Sequence, residues 1–261
     1  MRDGVRMTVL GIVGSPRKDG RTSSLIDEAL EGARSKGLET RKIYLVDYEV
    51  KQFTGSGGSE EAYAYCPEEL SRLCEEADAI ALGAPVYWGD INGLTKDFMD
   101  TVRISNANGK PALGVAIAGG TGKGLLSGVQ SLYHFFFHKQ MRGINPTPVS
   151  RFNMQDALRE LKSSGAELAE LSKKKRPFSG KTRDEIWPDV MVHYASLKYM
   201  RCDPLDEFVM LSRQLIKISE GEKVEKAKEE LEKALSLIKE GNRVEASKYA
   251  VKSYQILYFP P

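Results

Sequence analysis

Cysteine is scarce in this chain of 261 residues, with Cys66, Cys74 and Cys202 the only three. An odd count, without one close pair followed by another, excludes a zinc-finger type of metal site and argues against a disulfide scaffold. Long apolar runs are missing as well. No stretch approaches the roughly 18 apolar residues of a membrane-crossing helix. The apolar stretch 7–13, behind Arg2 and Arg6, is too short for a secretion signal and lacks a small-residue cleavage site after it. Residues 1–6 therefore read as a leader, and the protein is expected in the cytoplasm. A surplus of charge is also absent: 38 Lys and Arg stand against 36 Asp and Glu, a formal net charge of +2. The basic run Lys173-Lys174-Lys175-Arg176 is flanked by Glu167, Glu170, Asp184 and Glu185. It reads as a solvated loop, and no nucleic-acid partner is expected.

What is present is an ordinary globular composition, 41% hydrophobic and 28% charged, enough apolar material for a sizeable core. From residue 7 to about 150, β-branched runs alternate with helical patterns, as stacked βαβ units do. The runs fall at 8–13, 41–46, 79–82, 112–118 and, more weakly, 147–149. Four are apolar on both faces or nearly so, as strands covered by helices on both sides should be. Helices are expected over 23–36, 67–76, 92–104 and 125–141. The reading is an α/β fold: a five-stranded parallel sheet, doubly wound, of the flavodoxin kind, with its ligand beyond the carboxyl ends of the strands.

After Phe152 the strand signal stops. Asp203, Pro204 and Asp206 read as an N-cap, a first-position proline and a first-turn acid. A second helix is expected from Ser219 or Glu222, with Glu222 facing Lys226 and Glu229 facing Lys233. Gly241 and Asn242 end it before a third. The chain thus divides into a leader (1–6), a sheet domain (7–155), a connecting segment (156–202) and a C-terminal helical extension (203–261). The apolar stripes of the extension are expected to pack on each other or on a sister subunit.

Three loops carry chemistry. The first, Gly14-Ser15-Pro16-Arg17-Lys18-Asp19-Gly20-Arg21-Thr22-Ser23-Ser24, lies between the first strand and first helix. Ser15, Thr22 and Ser23 supply hydroxyls, Gly20 lets backbone N–H groups turn inward, and Arg17, Lys18 and Arg21 add charge at a helix N-terminus. That set suits a phosphate. Spacing excludes commoner phosphate users: Gly20 is followed by Arg21 and Gly122-Lys123 by Gly124, so there is no Walker A loop, and no G-x-G-x-x-G occurs. A cysteine phosphatase is excluded because no cysteine lies in the loop. The second loop follows the third strand, where Pro85, Val86, Tyr87, Trp88, Gly89 and Asp90 offer backbone groups and aromatic surface to a flat heterocycle. In the third, Gly119, Gly120 and Gly122 leave room for a ligand against bare backbone. Strands one, three and four end where such sheets bind ligands.

The runs at 14–22 and 84–93, Gly-Ser-Pro-Arg-Lys-Asp-Gly-Arg-Thr and Ala-Pro-Val-Tyr-Trp-Gly-Asp-Ile-Asn-Gly, resemble the NADPH-dependent FMN reductase family, and within it the iron-sulfur flavoprotein branch. The resemblance spans about residues 7–155. It implies FMN as cofactor, with Ser15, Arg17, Gly20, Thr22 and Ser23 on its phosphate. Pro85 to Asp90 would border the ring, and Gly119, Gly120 and Gly122 would pass along its other side. Arg21 stands where the family usually has asparagine. The cluster cysteines of that branch fall in register with Phe53, Ser56, Ser59 and Cys66; one thiolate cannot hold a [4Fe–4S] unit, so no iron-sulfur cluster is expected. The loop 51–65, lacking that clip, is expected to be mobile or to pack on a neighbouring subunit.

The function expected is an FMN-dependent oxidoreductase that takes a hydride from NAD(P)H, its co-substrate, and passes electrons to a flavin, quinone or protein acceptor. The alternative is a non-enzymatic, flavodoxin-like electron carrier or redox-responsive binding protein. The flavin does the chemistry, so no catalytic side chain is singled out. His134 and His138 are four apart, but without an acid between them they read as residues of core or interface packing. His193 is assigned to an amphipathic helix with Trp187, Met191 and Tyr194 rather than to a flavin lid. The aromatic residues Tyr249, Tyr254, Tyr258 and Phe259 near the end suggest a homodimer or homotetramer.

Overall fold

The computed structural model describes residues 7–55 and 65–258. Its centre is a sheet of strands β1 (Thr8–Val13), β2 (Glu39–Tyr44), β3 (Ala79–Tyr87), β5 (Pro111–Ala118) and β6 (Arg142–Gly143), in the order β2-β1-β3-β5-β6 and parallel throughout. β4 (Asp90–Ile91) folds back antiparallel on the end of β3, and β7 (Val149–Ser150) pairs with the end of β5. The fifth strand expected near 147–149 is therefore split. Its two ends pair with the two ends of β5, while Pro146 and Pro148 between them have no N–H to donate to a ladder. β2 begins and ends two residues earlier than expected and is a half-exposed edge, and 45–47 form a 3₁₀ turn.

Alternate residues of each central strand feed two cores. Leu10, Ile12, Ile80 and Leu82 face the layer of α2 (Glu68–Glu76), α3 (Gly93–Thr101) and α4 (Leu125–His138), meeting Leu70, Phe98, Tyr133 and Phe136. Val9, Val13, Ala81, Leu113 and Val115 face α1 (Arg21–Ser35) and α5 (Met154–Lys174), meeting Leu25, Ile26, Leu30, Leu161 and Leu168. Two-sided cover of this kind is what a parallel sheet requires. α3 and α4 stop three residues short of the expected ends.

The segment read as a connection, 156–202, is largely structured. α5 is a 21-residue helix that closes the sheet's second face against α1. The two helices meet backbone to backbone: a Cβ at Gly32 would run into the carbonyl of Lys162, and one at Gly165 into the carbonyl of Ala29. The contact stripe is small rather than leucine-rich, so it carries no apolar periodicity. α6 (Trp187–Ser196) lies at the opposite end of the sheet from the three loops, where Tyr194 donates to the carbonyl of Met141 and the His193 ring lies 2.7 Å from that of Gly143. It is not a lid over those loops. His134 and His138 are exposed rather than packed inside, with the His138 ring edge-on to Phe137.

The extension consists of α7 (Pro204–Ile218), α8 (Glu222–Lys239) and α9 (Arg243–Tyr258). Asp203 caps α7 in a reciprocal box with Asp206, behind Pro204. Leu205, Val209, Leu231, Ala234, Ala246 and Ala250 form its private core. A second cluster, Phe152, Leu211, Leu215 and Tyr254, joins it to the sheet domain. Lys233 pairs with Glu230, three residues away, rather than with Glu229. Most of the loop 51–65 and Phe259 lie outside the described residues. Among the described residues, no helix is long and apolar enough to cross a membrane.

Candidate functional site

The first loop, the hairpin after β3 and the loop after β5 meet at the carboxyl edge of the sheet. A cavity of about 760 Å³ is lined by Ser15, Arg17, Gly20, Arg21 and Thr22 from the first, Pro85, Val86 and Tyr87 from the second, and Ile117 with Gly119 from the third. A cavity of about 370 Å³ shares Val86 and Gly119 with it, and adds Trp88, Gly89, Gly120 and Gly122. Thirteen of the fifteen residues singled out from sequence line these two adjoining spaces. The other two face elsewhere.

Ser23 is one of them. Its hydroxyl lies 3.1 Å from the Tyr44 hydroxyl and accepts from Lys42 Nζ at 3.2 Å, with Lys42 also held by Asp27. Hydrogen bonds from Lys42 and Ser23 hold the Tyr44 phenol below its ordinary pKa. Asp90 is the other: its carboxylate accepts from the Ser131 hydroxyl at 2.6 Å and from the N–H of Ile91. Asp90 thus secures the hairpin to α4. The hairpin turn itself has positive φ at both Trp88 (53°) and Gly89 (92°), as a two-residue type I′ connection demands. Glycine accepts that conformation readily, whereas Trp88 holds it under strain and leaves its ring fully exposed.

At the first loop, α1 opens at Gly20 in an extended conformation, without a side-chain cap. The first-turn N–H groups of a helix left in this way form an anion site. Ser15 and Thr22 are buried beside it, and the Ser15 hydroxyl orders the loop by accepting from the N–H of Arg17 at 3.1 Å. With the guanidiniums of Arg17 and Arg21 this donor set fits a phosphate monoester. Lys18 also lines this cavity while pairing with Asp47, and Asp19 places a carboxylate on the same rim. On the far side, Cβ atoms at Gly119 and Gly120 would meet nothing within 4 Å, which leaves bare backbone opposite Tyr87 and Trp88. A phosphate pocket leading into a slot of aromatic and glycine surface fits FMN.

Sequence reasoning missed the residues that hold these loops together. Asn92 and Thr95 tie the hairpin to the first loop, and Glu207 and Tyr254 reach the third loop from the extension. A polar residue inside a helical start was the available signal for Asn92. Nothing local marked Glu207.

The fold is that of a flavodoxin-like α/β protein, and its candidate site lies at the carboxyl end of the sheet. The model of the NADPH-dependent FMN reductase family matches residues 7–155, more than half of the chain, and the chain belongs to that family. It is 34% identical over 144 residues to an iron-sulfur flavoprotein of Methanocaldococcus jannaschii, covering 52% of this chain and 74% of that one. An iron-sulfur flavoprotein of Archaeoglobus fulgidus is 36% identical over 99 residues, 36% of this chain and 44% of that protein, so the match spans less than half of that relative. Among solved structures, an NADH:FMN oxidoreductase in its apo form superposes with a TM-score of 0.50 at 17% identity, covering 69% of this chain and 94% of that one. An oxidoreductase of Corynebacterium diphtheriae gives 0.50 at 16%, covering 66% and 100%. These two show the fold alone.

Proposed function

We propose that the chain is an FMN-dependent oxidoreductase that accepts a hydride from NAD(P)H and hands electrons to a flavin, a quinone or a protein. The observation that carries this reading is the junction of the two cavities: a phosphate-type donor set at one end and bare glycine backbone facing exposed aromatic rings at the other. FMN, when bound, supplies the hydride chemistry. The chain's own residues do the rest. Ser15, Arg17, Arg21 and Thr22 hold the phosphate, Pro85 to Gly89 border the ring, and Gly119, Gly120 and Gly122 let its other edge lie close to backbone. Neither Ser23 nor Asp90 touches the cofactor in this reading; each secures a wall of the site.

The same reading has no iron-sulfur cluster. Cys66 is buried, and burial pushes its thiol pKa up, the reverse of what a ligating thiolate needs. Its register partners Ser56 and Ser59 lie outside the described residues. Protein made anaerobically with ample iron is expected to carry neither iron nor acid-labile sulfide. The unshielded Trp88 and half-exposed Tyr87 at the mouth support a homodimer or homotetramer that covers them.

Purified protein should show the absorbance of oxidised flavin and release FMN on denaturation. Anaerobic NADH or NADPH should bleach it, and a panel of flavins, quinones and carrier proteins identifies the acceptor. A colourless protein that takes up no added FMN would sink the reading. Reduction by a ferredoxin system but never by a nicotinamide would select an electron carrier instead.

A further inference from the structure

The loop after β5 is held from behind by the helical extension, residue after residue. Glu207 of α7 is buried, and its carboxylate accepts from the N–H of Gly124 at 2.8 Å through one oxygen and from that of Leu126 at 2.8 Å through the other. Gly124 is the N-cap of α4 and has no side chain to do this itself. The carboxylate that caps α4 therefore comes from 83 residues away in sequence. The Tyr254 hydroxyl of α9 donates to the carbonyl of Thr121 at 2.7 Å. Leu211 packs against Gly122, and the Lys123 ammonium lies 5.5 Å from the Phe208 ring centre and 5.7 Å from that of Tyr254. Thr121, Gly122, Lys123 and Gly124 are thus each engaged by the extension, while Gly119 and Gly120 stay open toward the cavities.

We propose that the extension is a positioning device for the flavin: Glu207 and Tyr254 fix the loop 119–124 against which the ring lies, and Glu207 also sets its potential. This rests on the FMN reading above. Two effects separate on chemical grounds. Tyr254 acts through position alone, because its bond is between neutral groups. Glu207 acts through position and charge: a carboxylate aimed at the α4 N-terminus cancels the positive end of that helix. It also opposes the negative charge that a flavin gains on reduction. Extension and sheet domain are therefore one functional unit, although the family match ends at 155.

The test compares full-length wild type with Glu207→Gln and Tyr254→Phe. Glutamine keeps one acceptor oxygen and turns an NH₂ toward the second backbone N–H; phenylalanine keeps the ring and drops the donor. Both variants should bind FMN more weakly, by up to about tenfold, the limit reached if a hydrogen bond worth about 1.4 kcal/mol must be replaced by ordering of the loop when FMN binds. Only Glu207→Gln should raise the midpoint potential of bound FMN, with Tyr254→Phe staying at the wild-type value. Folded variants that bind FMN with wild-type affinity and potential would overturn the proposal, even if amides 119–126 exchange faster, because the extension would then only stabilise. Should Glu207→Gln fail to fold, Tyr254→Phe decides by affinity. Wild-type protein that binds no FMN overturns both this proposal and the function on which it rests, and so is told apart from a failure of this one alone.

Discussion

The side-chain amide of Asn92 donates to the carbonyl oxygen of Gly14 at 2.8 Å, across 78 residues of chain, in a fully buried bond. Thr95 completes the link by donating to Asn92 Oδ1 at 2.7 Å, and Gly14 N–H donates to the carbonyl of Gly83. The first loop and the hairpin are thereby one rigid edge. Asn92→Ala leaves the Gly14 carbonyl and the Thr95 hydroxyl without these partners in a buried place. The expected cost is about 1–3 kcal/mol, read as a lower denaturation midpoint with an unchanged slope, and FMN should bind more weakly than this loss of stability alone explains.

The contact between α1 and α5 yields a second test. Helix propensity favours alanine over glycine by about 1 kcal/mol, so on local grounds Gly165→Ala should stabilise α5. The opposing effect is larger: the new methyl must displace the Ala29 carbonyl and push apart a helix pair whose other contacts, Leu161 and Leu168 with Leu25 and Ile26, are fully buried. A net loss of about 1–3 kcal/mol is expected. Thermal melting of Gly165→Ala and of Gly32→Ala should show lower transitions; a rise in either would mean that the helices can separate at no cost.

Legibility from sequence followed the physics of each element. β1, β3 and β5 are apolar on both faces and declared themselves. The N-cap at Asp203 did so through the run Asp-Pro-x-Asp. That the first loop lines a cavity at the sheet's carboxyl edge was legible, because a Gly-rich loop between a first strand and a first helix falls there in this topology. α5 was not, because close packing of two backbones calls for glycine and serine at the contact, and those residues imitate a linker. That the side chains of Ser23 and Asp90 turn away from the two cavities was not legible, since their neighbours Tyr44, Lys42 and Ser131 are set by the fold and not by local spacing. Glu207 could not be seen at all, and Tyr254, expected on an interface between subunits, is buried within the chain instead, since the partners of both are backbone atoms 81 to 133 residues away.

Lys110 makes stability depend on pH. It is buried and donates to the carbonyls of Cys74 and Glu75 and to Asn106 Oδ1. Burial nevertheless pushes its pKa down to about 8, against partial support from Cys74, Asp78 and Glu75. From about pH 8 up to the ordinary lysine value, the unfolded chain holds a proton that the folded chain has released. Stability from this group therefore rises with pH across that window, by at most about 1.4 kcal/mol per unit, and is lowest below pH 8. Urea unfolding at pH 7, 8 and 9 should show the rise, and Lys110→Met should abolish this share of it. An equal slope in the variant would assign the dependence to other groups.

Residues that face the cavity should differ from one that only flanks it in their effect on flavin choice. If the proposed site is right, wild-type protein should prefer FMN to riboflavin, since the two differ only in the phosphate for which the first loop would supply donors. Arg17→Ala and Arg21→Ala each remove a charged donor from the lining, and charge-assisted hydrogen bonds contribute about 1.5–3 kcal/mol. Each should cut the FMN-to-riboflavin preference by roughly tenfold or more, and the preference should weaken as salt screens what remains. Thr22→Val removes a buried hydroxyl at nearly constant volume and should reduce the preference less than either arginine variant does. Ser23→Ala is the control: its hydroxyl points to Tyr44 and Lys42, so the preference should stay at the wild-type value even if the Tyr44 phenol, released from that bond, titrates at higher pH. Fluorescence titration of apoprotein with both flavins reads all four variants. A collapse of preference in Ser23→Ala, with Arg17→Ala unaffected, would mean that the phosphate sits on the other side of α1, against β2, and not in the cavity.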